Sequence, residues 1–258
     1  RRVGKSDLAQ RTIAGSMHVV FEWSRYVGRE RASRIAGRVM RWVGPRAREH
    51  KLGRANIAAA FPEKSPEEVE ALLSQAWDHL ARATIEYAFL TDLVEAFDPD
   101  RPTGGVIEHR GIEYAYALRD GGKPGVIFGA HLGNWELTAA IGAKIGLPIA
   151  TVYRAPTNRY IAREMEMRRS SFIGELIDSH SAVAFRMASA MQAGNHIGIV
   201  VDQRVGGSPP VPFFGRPSQS NPAVGALARL FDSPVHGVRA IRQPDGRFFM
   251  ELTPPIEM

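Results

Sequence analysis

The sequence predicts an α/β fold, a largely parallel mixed sheet flanked by helices, preceded by an N-terminal helical region that associates with a membrane. Two observations support this division. Beyond Gly105, short apolar runs alternate with helical stretches, which is typical of a parallel sheet with helices on its faces. From Arg2 to about Phe97, apolar residues instead recur at helical spacing.

The first helical region is strongly basic. Residues 1–60 hold 14 Lys and Arg against 4 Asp and Glu, whereas the remainder holds 19 against 23. Arginines alternate with apolar residues such as Trp23, Tyr26 and Trp42, which is typical of helices on an anionic membrane surface. The chain has no recognised DNA- or RNA-binding motif, so we expect no nucleic-acid partner. A solvated helix packed on the main domain through its apolar side is the alternative.

This region is too short and too polar to span a bilayer alone. Ile13 to Trp23 is apolar but contains His18 and Glu22, and a span needs about 20 apolar residues. Because the chain starts with Arg1 rather than Met, a segment upstream could complete a span.

We expect residues 1–60 to form the membrane-proximal region and residues 61–258 the α/β domain, with a helical lead-in to about residue 104. Ser65-Pro66-Glu67-Glu68 is a capping signature for a helix over Val69 to Leu90. The proline- and glycine-containing stretch from Asp98 to Gly105 then predicts a linker.

The α/β domain is predicted to alternate five strands with five helices and to end in a hairpin. The strands are Val106 to His109, Gly125 to Ala130, Pro148 to Tyr153, Ile197 to Val201 and Pro234 to Ile241. The helices are Ile112 to Arg119, Trp135 to Ile145, Asn158 to Ser171, Ala182 to Gln192 and Ala223 to Phe231. Pro244-Asp245-Gly246 predicts a turn into a last strand, Arg247 to Thr253.

Composition restricts the chemistry. The chain has 258 residues, 44% of them hydrophobic, and no cysteine, so disulfides and thiolate metal sites are excluded. Its histidines show no zinc-type spacing, and no Gly-x₄-Gly-Lys-Ser/Thr loop is present. We therefore expect no metal, no cofactor and no nucleotide hydrolysis.

The most informative motif is His131-Leu132-Gly133-Asn134-Trp135-Glu136, which follows an apolar strand and opens a helix. On one continuous helix the His-x₄-Glu pair would lie about 140° apart, but a turn between them removes this objection. Glu136 could then accept a proton from one imidazole nitrogen and leave the other as a base. Alternatively, His131 caps the helix and Glu136 complements the helix dipole.

Other candidate residues also follow predicted strands, where the working residues of parallel sheets gather. Arg154 could hold a phosphate, and Asp202, followed by Gln203, could orient a substrate hydroxyl or pair with Arg154. A surface arginine and a capping aspartate are the alternatives. Phe213 and Phe214 are adjacent in a loop, so they either pack in the core or contact an apolar ligand such as an acyl chain.

A base without a covalent nucleophile suits transfer of an acyl group directly to a hydroxyl. A neutral imidazole removes the hydroxyl proton, and the carboxylate fixes its tautomer. Neither a Gly-x-Ser-x-Gly elbow nor a cysteine is present, so no covalent acyl-enzyme is indicated.

Several segments together resemble the lipid A late acyltransferases, the lauroyl or myristoyl transferases of the lysophospholipid acyltransferase group. The segments are Asn56 to Pro62, His131 to Glu136, Tyr153-Arg154, Asp202-Gln203, Pro212-Phe213-Phe214-Gly215 and Leu227-Ala228-Arg229. Their order and spacing make the resemblance specific, and it covers most of the chain.

The resemblance implies an inner-membrane enzyme whose catalytic domain faces the cytoplasm. Its acyl donor would be acyl carrier protein, and its acceptor a hydroxyl of an acylated, phosphorylated glucosamine disaccharide. His131 would be the general base and Glu136 its partner, with Asn134 and Trp135 in the same signature. Arg154 and Asp202 would bind substrate or shape the site.

Two features depart from the family pattern. Arg204 follows Asp202-Gln203 where an acidic residue is commoner, and Ser220-Asn221-Pro222 replaces a threonine-rich stretch. Two alternatives therefore remain. One is an acyl-CoA-dependent transferase acting on another glycolipid, such as a phosphatidylinositol mannoside. The other is a non-catalytic membrane lipid-binding protein.

Overall fold

The computed structural model of this chain describes residues 7–169, 174–179 and 182–257, which form two compact units. The first comprises Arg1–His18, Leu90–Ser208 and Ser220–Met258, and the second comprises Val19–Phe89 and Pro209–Gln219. The first contains the sheet, and the second is mainly helical.

The first five helices, in chain order, are α1 (Asp7–Val27), α2 (Arg29–Val43), α3 (Arg48–Ala60), α4 (Pro66–Glu86) and α5 (Leu90–Glu95). The elements that follow are β1 (Ile107–Arg110), α6 (Ile112–Asp120), β2 (Val126–Gly129), α7 (Glu136–Lys144), β3 (Ile149–Tyr153), α8 (Arg159–Arg169) and β4 (Glu175–Asp178). The last are α9 (Val183–Gln192), β5 (His196–Val200), β6 (Pro210–Phe213), β7 (Arg216–Gln219), α10 (Ala223–Phe231), β8 (Val235–Arg242) and β9 (Phe248–Leu252).

The sheet of the first unit has seven strands in the order β1-β9-β8-β2-β5-β3-β4. Strands β8, β2, β5, β3 and β4 run parallel, β9 is antiparallel to β8, and β1 is parallel to β9. The prediction of a mostly parallel mixed sheet flanked by helices is confirmed. The predicted hairpin into the last strand is also confirmed, since β8 and β9 pair from Val238 with Leu252 to Arg242 with Phe248.

Both faces of the central parallel strands β2 and β5 are largely buried, which explains their continuous apolar runs. Val126 and Ile127 are adjacent in β2 and enter different clusters, because successive side chains point to opposite faces. Val126 packs with residues of α9 and α10, among them Met187 and Leu227. Ile127 packs with Leu118 of α6 and its neighbours.

Helix α2 lies close against α4 in the second unit because small residues face it. Gly37 is buried, and a Cβ there would lie 2.3 Å from Asp78 Oδ1. The predicted capping box is present at the start of α4, where the hydroxyl of Ser65 accepts the N–H of Glu68 and the Glu68 carboxylate accepts the N–H of Ser65. None of the helices in the described ranges combines the length and the apolar composition needed to cross a bilayer.

Three strands are absent from the sequence prediction. β4 is short and lies at the edge of the sheet, so only Ile177 is fully buried and no alternating pattern marks it. β6 and β7 form a two-stranded hairpin, whose prolines argue against a strand on sequence alone. Phe214 and Gly215 both have positive φ at its turn, as a tight two-residue hairpin requires.

Candidate active site

The loop after β2 carries the signature residues, and a glycine fixes its path. Gly133 has φ +54°, and a Cβ at this position would lie 1.9 Å from the carbonyl oxygen of Ala240 in β8. This close approach allows the N–H of Asn134 to donate to the same carbonyl oxygen at 3.1 Å. Asn134 is buried, so the loop is anchored to the sheet three residues after His131.

His131 is held by the aspartate that follows the neighbouring strand. Its Nδ1 lies 2.7 Å from Asp202 Oδ1, and its backbone N–H donates to Asp202 Oδ2 at 2.9 Å. Because β2 and β5 pair in parallel with Gly129 opposite Val200, their carboxyl ends bring these two side chains together. An ionised carboxylate only accepts hydrogen bonds, so Nδ1 carries the proton and Nε2 has the free lone pair of a base.

Among the described residues, Nε2 of His131 has no hydrogen-bond partner. The His131 side chain is 35% exposed. Trp135 contacts the ring edge to face, with ring centroids 5.0 Å apart and an interplanar angle of 68°. The tryptophan therefore restricts rotation of the imidazole while the base nitrogen remains available.

Glu136 lies in a different environment from the one expected. It accepts from Arg169 Nη2 at 2.5 Å and from Arg169 Nε at 3.1 Å, and both side chains are nearly buried. In the part of the chain that the structure describes, no hydrogen bond joins Glu136 to His131. Glu136 is the first residue of α7, where the helix dipole favours a carboxylate, and its partner is the last residue of α8.

Arg169 also lies 5.6 Å from the ring centroid of Tyr153, the last residue of β3. Two parallel N–H···O bonds and an aromatic ring thus fix this guanidinium. Its position next to the catalytic candidates is not predicted by the sequence, because nothing in the spacing brings the end of α8 onto the start of α7.

A cavity of about 900 Å³ opens beside these groups within the first unit. This volume lies within the range of ligand-binding pockets. Its lining includes His131, Trp135, Glu136, Arg154 and Gln203, so most of the sequence candidates share one site. Asp202 joins the site through its hydrogen bonds to His131.

The lining of the cavity includes many apolar residues, from the apolar clusters on both faces of the sheet. Ile127 and Leu147 line it on one face, and Val183 and Met187 line it on the other. Such a lining accommodates hydrocarbon chains, whose transfer from water into apolar surroundings is favourable by about 0.8 kcal/mol per buried CH₂ group.

Phe213 and Phe214 belong to the second unit, in the β6–β7 hairpin. They are 62% and 52% exposed, and Phe214 contacts Phe61 edge to face with centroids 5.3 Å apart. Core packing therefore does not account for this pair, and their expected contact with an acyl chain stays a prediction.

No group of three or more His, Asp or Glu side chains in the described ranges is arranged to hold a metal ion.

Residues 8–258 match the family model of the bacterial lipid A biosynthesis acyltransferases. The chain belongs to this family. The expected resemblance is thus confirmed over nearly the whole chain, and the protein is an acyltransferase of lipid A and lipopolysaccharide biosynthesis. A comparison with individual curated proteins gives no match.

Family membership assigns the chemistry as acyl transfer to a lipid, and the structure shows which side chains surround His131. Two contacts are not predicted by the sequence: Asp202 pairs with His131, and Glu136 pairs with Arg169. Of the two expectations for Asp202, pairing with Arg154 is not seen among the described residues, and orientation of a substrate hydroxyl stays a prediction. Arg154 is exposed and lines the cavity without a partner among the described residues.

Proposed function

We propose that this acyltransferase moves a fatty acyl chain from an acyl carrier protein thioester to a hydroxyl of a lipid A precursor, with His131 as general base. The observation that carries the proposal is the 2.7 Å contact between His131 Nδ1 and Asp202 Oδ1. It leaves Nε2 as the basic nitrogen at a cavity with an apolar interior.

The proposed reaction needs no covalent intermediate. His131 Nε2 removes the proton of the acceptor hydroxyl while the hydroxyl oxygen attacks the thioester carbonyl carbon. Collapse of the tetrahedral intermediate breaks the carbon–sulfur bond, and the imidazolium returns the proton to the leaving thiolate. Asp202 stabilises the imidazolium between these two steps.

Glu136 and Arg169 contribute a fixed, mutually neutralised pair at the start of α7. In the proposal this pair holds the helix N-terminus next to the loop that carries His131. A direct role of Glu136 on the imidazole stays a prediction, and the two hydrogen bonds between Asp202 and His131 support an orienting role for Asp202 in the proposal.

We further propose that the second unit binds the anionic surface of the inner membrane on its cytoplasmic side. Tyr26 and Trp42 are 92% and 67% exposed, and the guanidinium of Arg46 lies 4.3 Å from the Trp42 ring centroid. Exposed aromatic side chains next to arginines fit the headgroup region of a bilayer. Co-sedimentation with anionic but not with neutral vesicles is the expected result, and equal binding to both would contradict this assignment.

The transfer reaction is tested with purified protein, a lipid A precursor and either acyl carrier protein thioester or acyl-CoA. We expect a mass increase of the lipid with the carrier-protein donor, and no detectable increase with H131A. Transfer only from acyl-CoA, or only to a phosphatidylinositol mannoside, would replace the proposed substrates with the alternative glycolipid reaction. Undiminished transfer by H131A would remove the proposed base.

A further inference from the structure

The charged side chains that line the cavity are mostly arginines. Among the described residues they comprise one carboxylate and five guanidiniums: Glu136, Arg110, Arg154, Arg169, Arg204 and Arg239. Glu136 neutralises Arg169, so an excess of positive charge remains. A cavity lined in this way attracts an anionic substrate group.

Arg110 and Arg239 are linked by a shared carboxylate, that of Glu251, and the three residues lie on three neighbouring strands. Arg110 at the end of β1 is opposite Glu251 of β9, and Glu251 is opposite Arg239 of β8. Directly opposed residues of paired strands point to the same face of a sheet. The three side chains therefore form a row on one face.

Glu251 uses one carboxylate oxygen for each arginine. Its Oε1 accepts from Arg110 Nη2, and its Oε2 accepts from Arg239 Nε at 2.7 Å and lies 2.6 Å from Arg239 Nη2. These two guanidiniums lower the pKa of the Glu251 carboxyl, which opposes the effect of its burial. The group thus carries two positive charges and one negative charge.

The arrangement leaves most of the guanidinium donors available. Each arginine has five N–H donors, and the shared carboxylate uses one from Arg110 and two from Arg239. Arg110 is 69% and Arg239 48% exposed, whereas Glu251 is only 12% exposed. The carboxylate therefore lies beneath two accessible guanidiniums and fixes their separation.

This group lies next to the catalytic loop. The residue after Arg239 is Ala240, whose carbonyl oxygen accepts the N–H of Asn134, three residues beyond His131. Arg110, Arg239 and His131 also line the same cavity. A substrate whose hydroxyl reaches His131 can therefore place an anionic substituent at the two arginines.

We propose that Arg110 and Arg239, spaced by Glu251, form a phosphate-binding subsite for the substrate of the acyl transfer. Paired arginines match the tetrahedral oxygens of a phosphate by bidentate hydrogen bonds. The part that this subsite would play in acyl transfer rests on the proposed function. The phosphate comes either from the glycolipid acceptor or from the phosphodiester of the pantetheine arm of the donor.

Direct binding tests the subsite independently of acyl transfer. The probe is glucosamine 1-phosphate, titrated against the full protein and followed by phosphorus NMR. We expect the dissociation constant to rise about tenfold or more in R110Q/R239Q, since hydrogen bonds between charged groups are lost. K123Q is the matched control, because Lys123 pairs with Asp232 and precedes the amino end of β2, whereas His131 follows its carboxyl end.

Substitution by lysine separates charge from geometry. R110K and R239K keep the charge but lose the planar fork, so we expect each to weaken binding of the probe, though less than glutamine does. If R110Q/R239Q does not fold, R110K and R239K still test the subsite. Equal probe affinity in the wild type and in R110K, R239K and R110Q/R239Q would overturn the proposed subsite, even if acyl transfer is confirmed.

Kinetics then identify the source of the phosphate. If the acceptor supplies it, R239Q raises the KM for a phosphorylated acceptor about tenfold or more but leaves the KM for a dephosphorylated acceptor unchanged. If the donor supplies it, the KM for the carrier-protein thioester rises instead. A wild-type protein without transfer activity but with Arg-dependent probe binding would refute the proposed reaction and retain the subsite.

Discussion

The contact between Asp202 and His131 makes D202N the most informative substitution. Asp202 accepts two hydrogen bonds from the same residue, one from the backbone N–H at 2.9 Å and one from Nδ1 at 2.7 Å. An asparagine has one carbonyl oxygen, so its NH₂ group would face one of these positions. If it faces Nδ1, that nitrogen becomes an acceptor and the proton moves to Nε2, which is then no longer a base.

The expected magnitude follows from the two roles that Asp202 has in the proposal. Loss of general base catalysis costs about 10²–10⁴-fold in rate, or about 2.7–5.5 kcal/mol of transition-state stabilisation. The imidazole and the carboxylate are about one-third exposed, so solvent partly compensates for the lost charge. We therefore expect a decrease in kcat of about 10²–10³-fold, with little change in KM.

Steady-state transfer assays of the wild type, D202N, H131A and the double variant test this reasoning. Because the two residues act as one unit, the double variant should be about as slow as H131A alone. D120N is the control, since Asp120 is an exposed carboxylate that pairs with Arg119. A kcat for D202N within twofold of wild type would show that Asp202 does not orient the base.

Three further substitutions test the surroundings of the site. G133A should destabilise the protein by about 2 kcal/mol or more in chemical denaturation. Alanine is strained at φ +54°, and its Cβ would lie 1.9 Å from the carbonyl oxygen of Ala240. Unchanged stability would contradict the described path of the loop. R169M should lower the free energy of unfolding by about 3 kcal/mol, because Glu136 is nearly buried and loses its partner. E136Q/R169M should recover part of this loss. An R169M variant as stable as the wild type would exclude a structural role for the pair. Burial lowers the pKa of His196, so at mildly acidic pH the unfolded chain binds a proton that the folded chain does not. The free energy of unfolding should therefore fall as the pH is lowered from about 7 to about 5, and it should fall less steeply in H196N. Equal slopes in the wild type and H196N would refute this assignment.

The sequence predicts the approximate position of the candidate site because its candidate residues directly follow predicted strands. A parallel sheet brings the residues that follow its strands to one side, so the sequence alone predicts that His131, Arg154 and Asp202 lie close together. The strands β2, β5 and β3 are adjacent in that order, which places the ends of all three side by side. Sequence spacing does not determine which carboxylate faces which nitrogen, because that depends on the register between β2 and β5.

The missed residues lack any local signal. Arg169 is an ordinary basic residue in the last turn of α8, and only the packing of that helix brings it to Glu136. Arg110 and Arg239 lie 129 positions apart and become neighbours only through β9, which is inserted between their strands. A row of side chains across a sheet depends on strand order, and strand order is set by the global topology rather than by any segment of the sequence.

The different environments of the two carboxylates have a consequence for the base. Glu136 is nearly buried and matched by a guanidinium, so the pair adds little net charge near the imidazole. Asp202 has no cationic partner among the described residues other than His131, and its charge is therefore directed to the ring that becomes positive during transfer. If Arg169 lacked Glu136, its charge would oppose formation of the imidazolium. In the proposed mechanism Glu136 therefore supports the base by neutralising Arg169. We expect E136Q to lower kcat even though no hydrogen bond to His131 is lost.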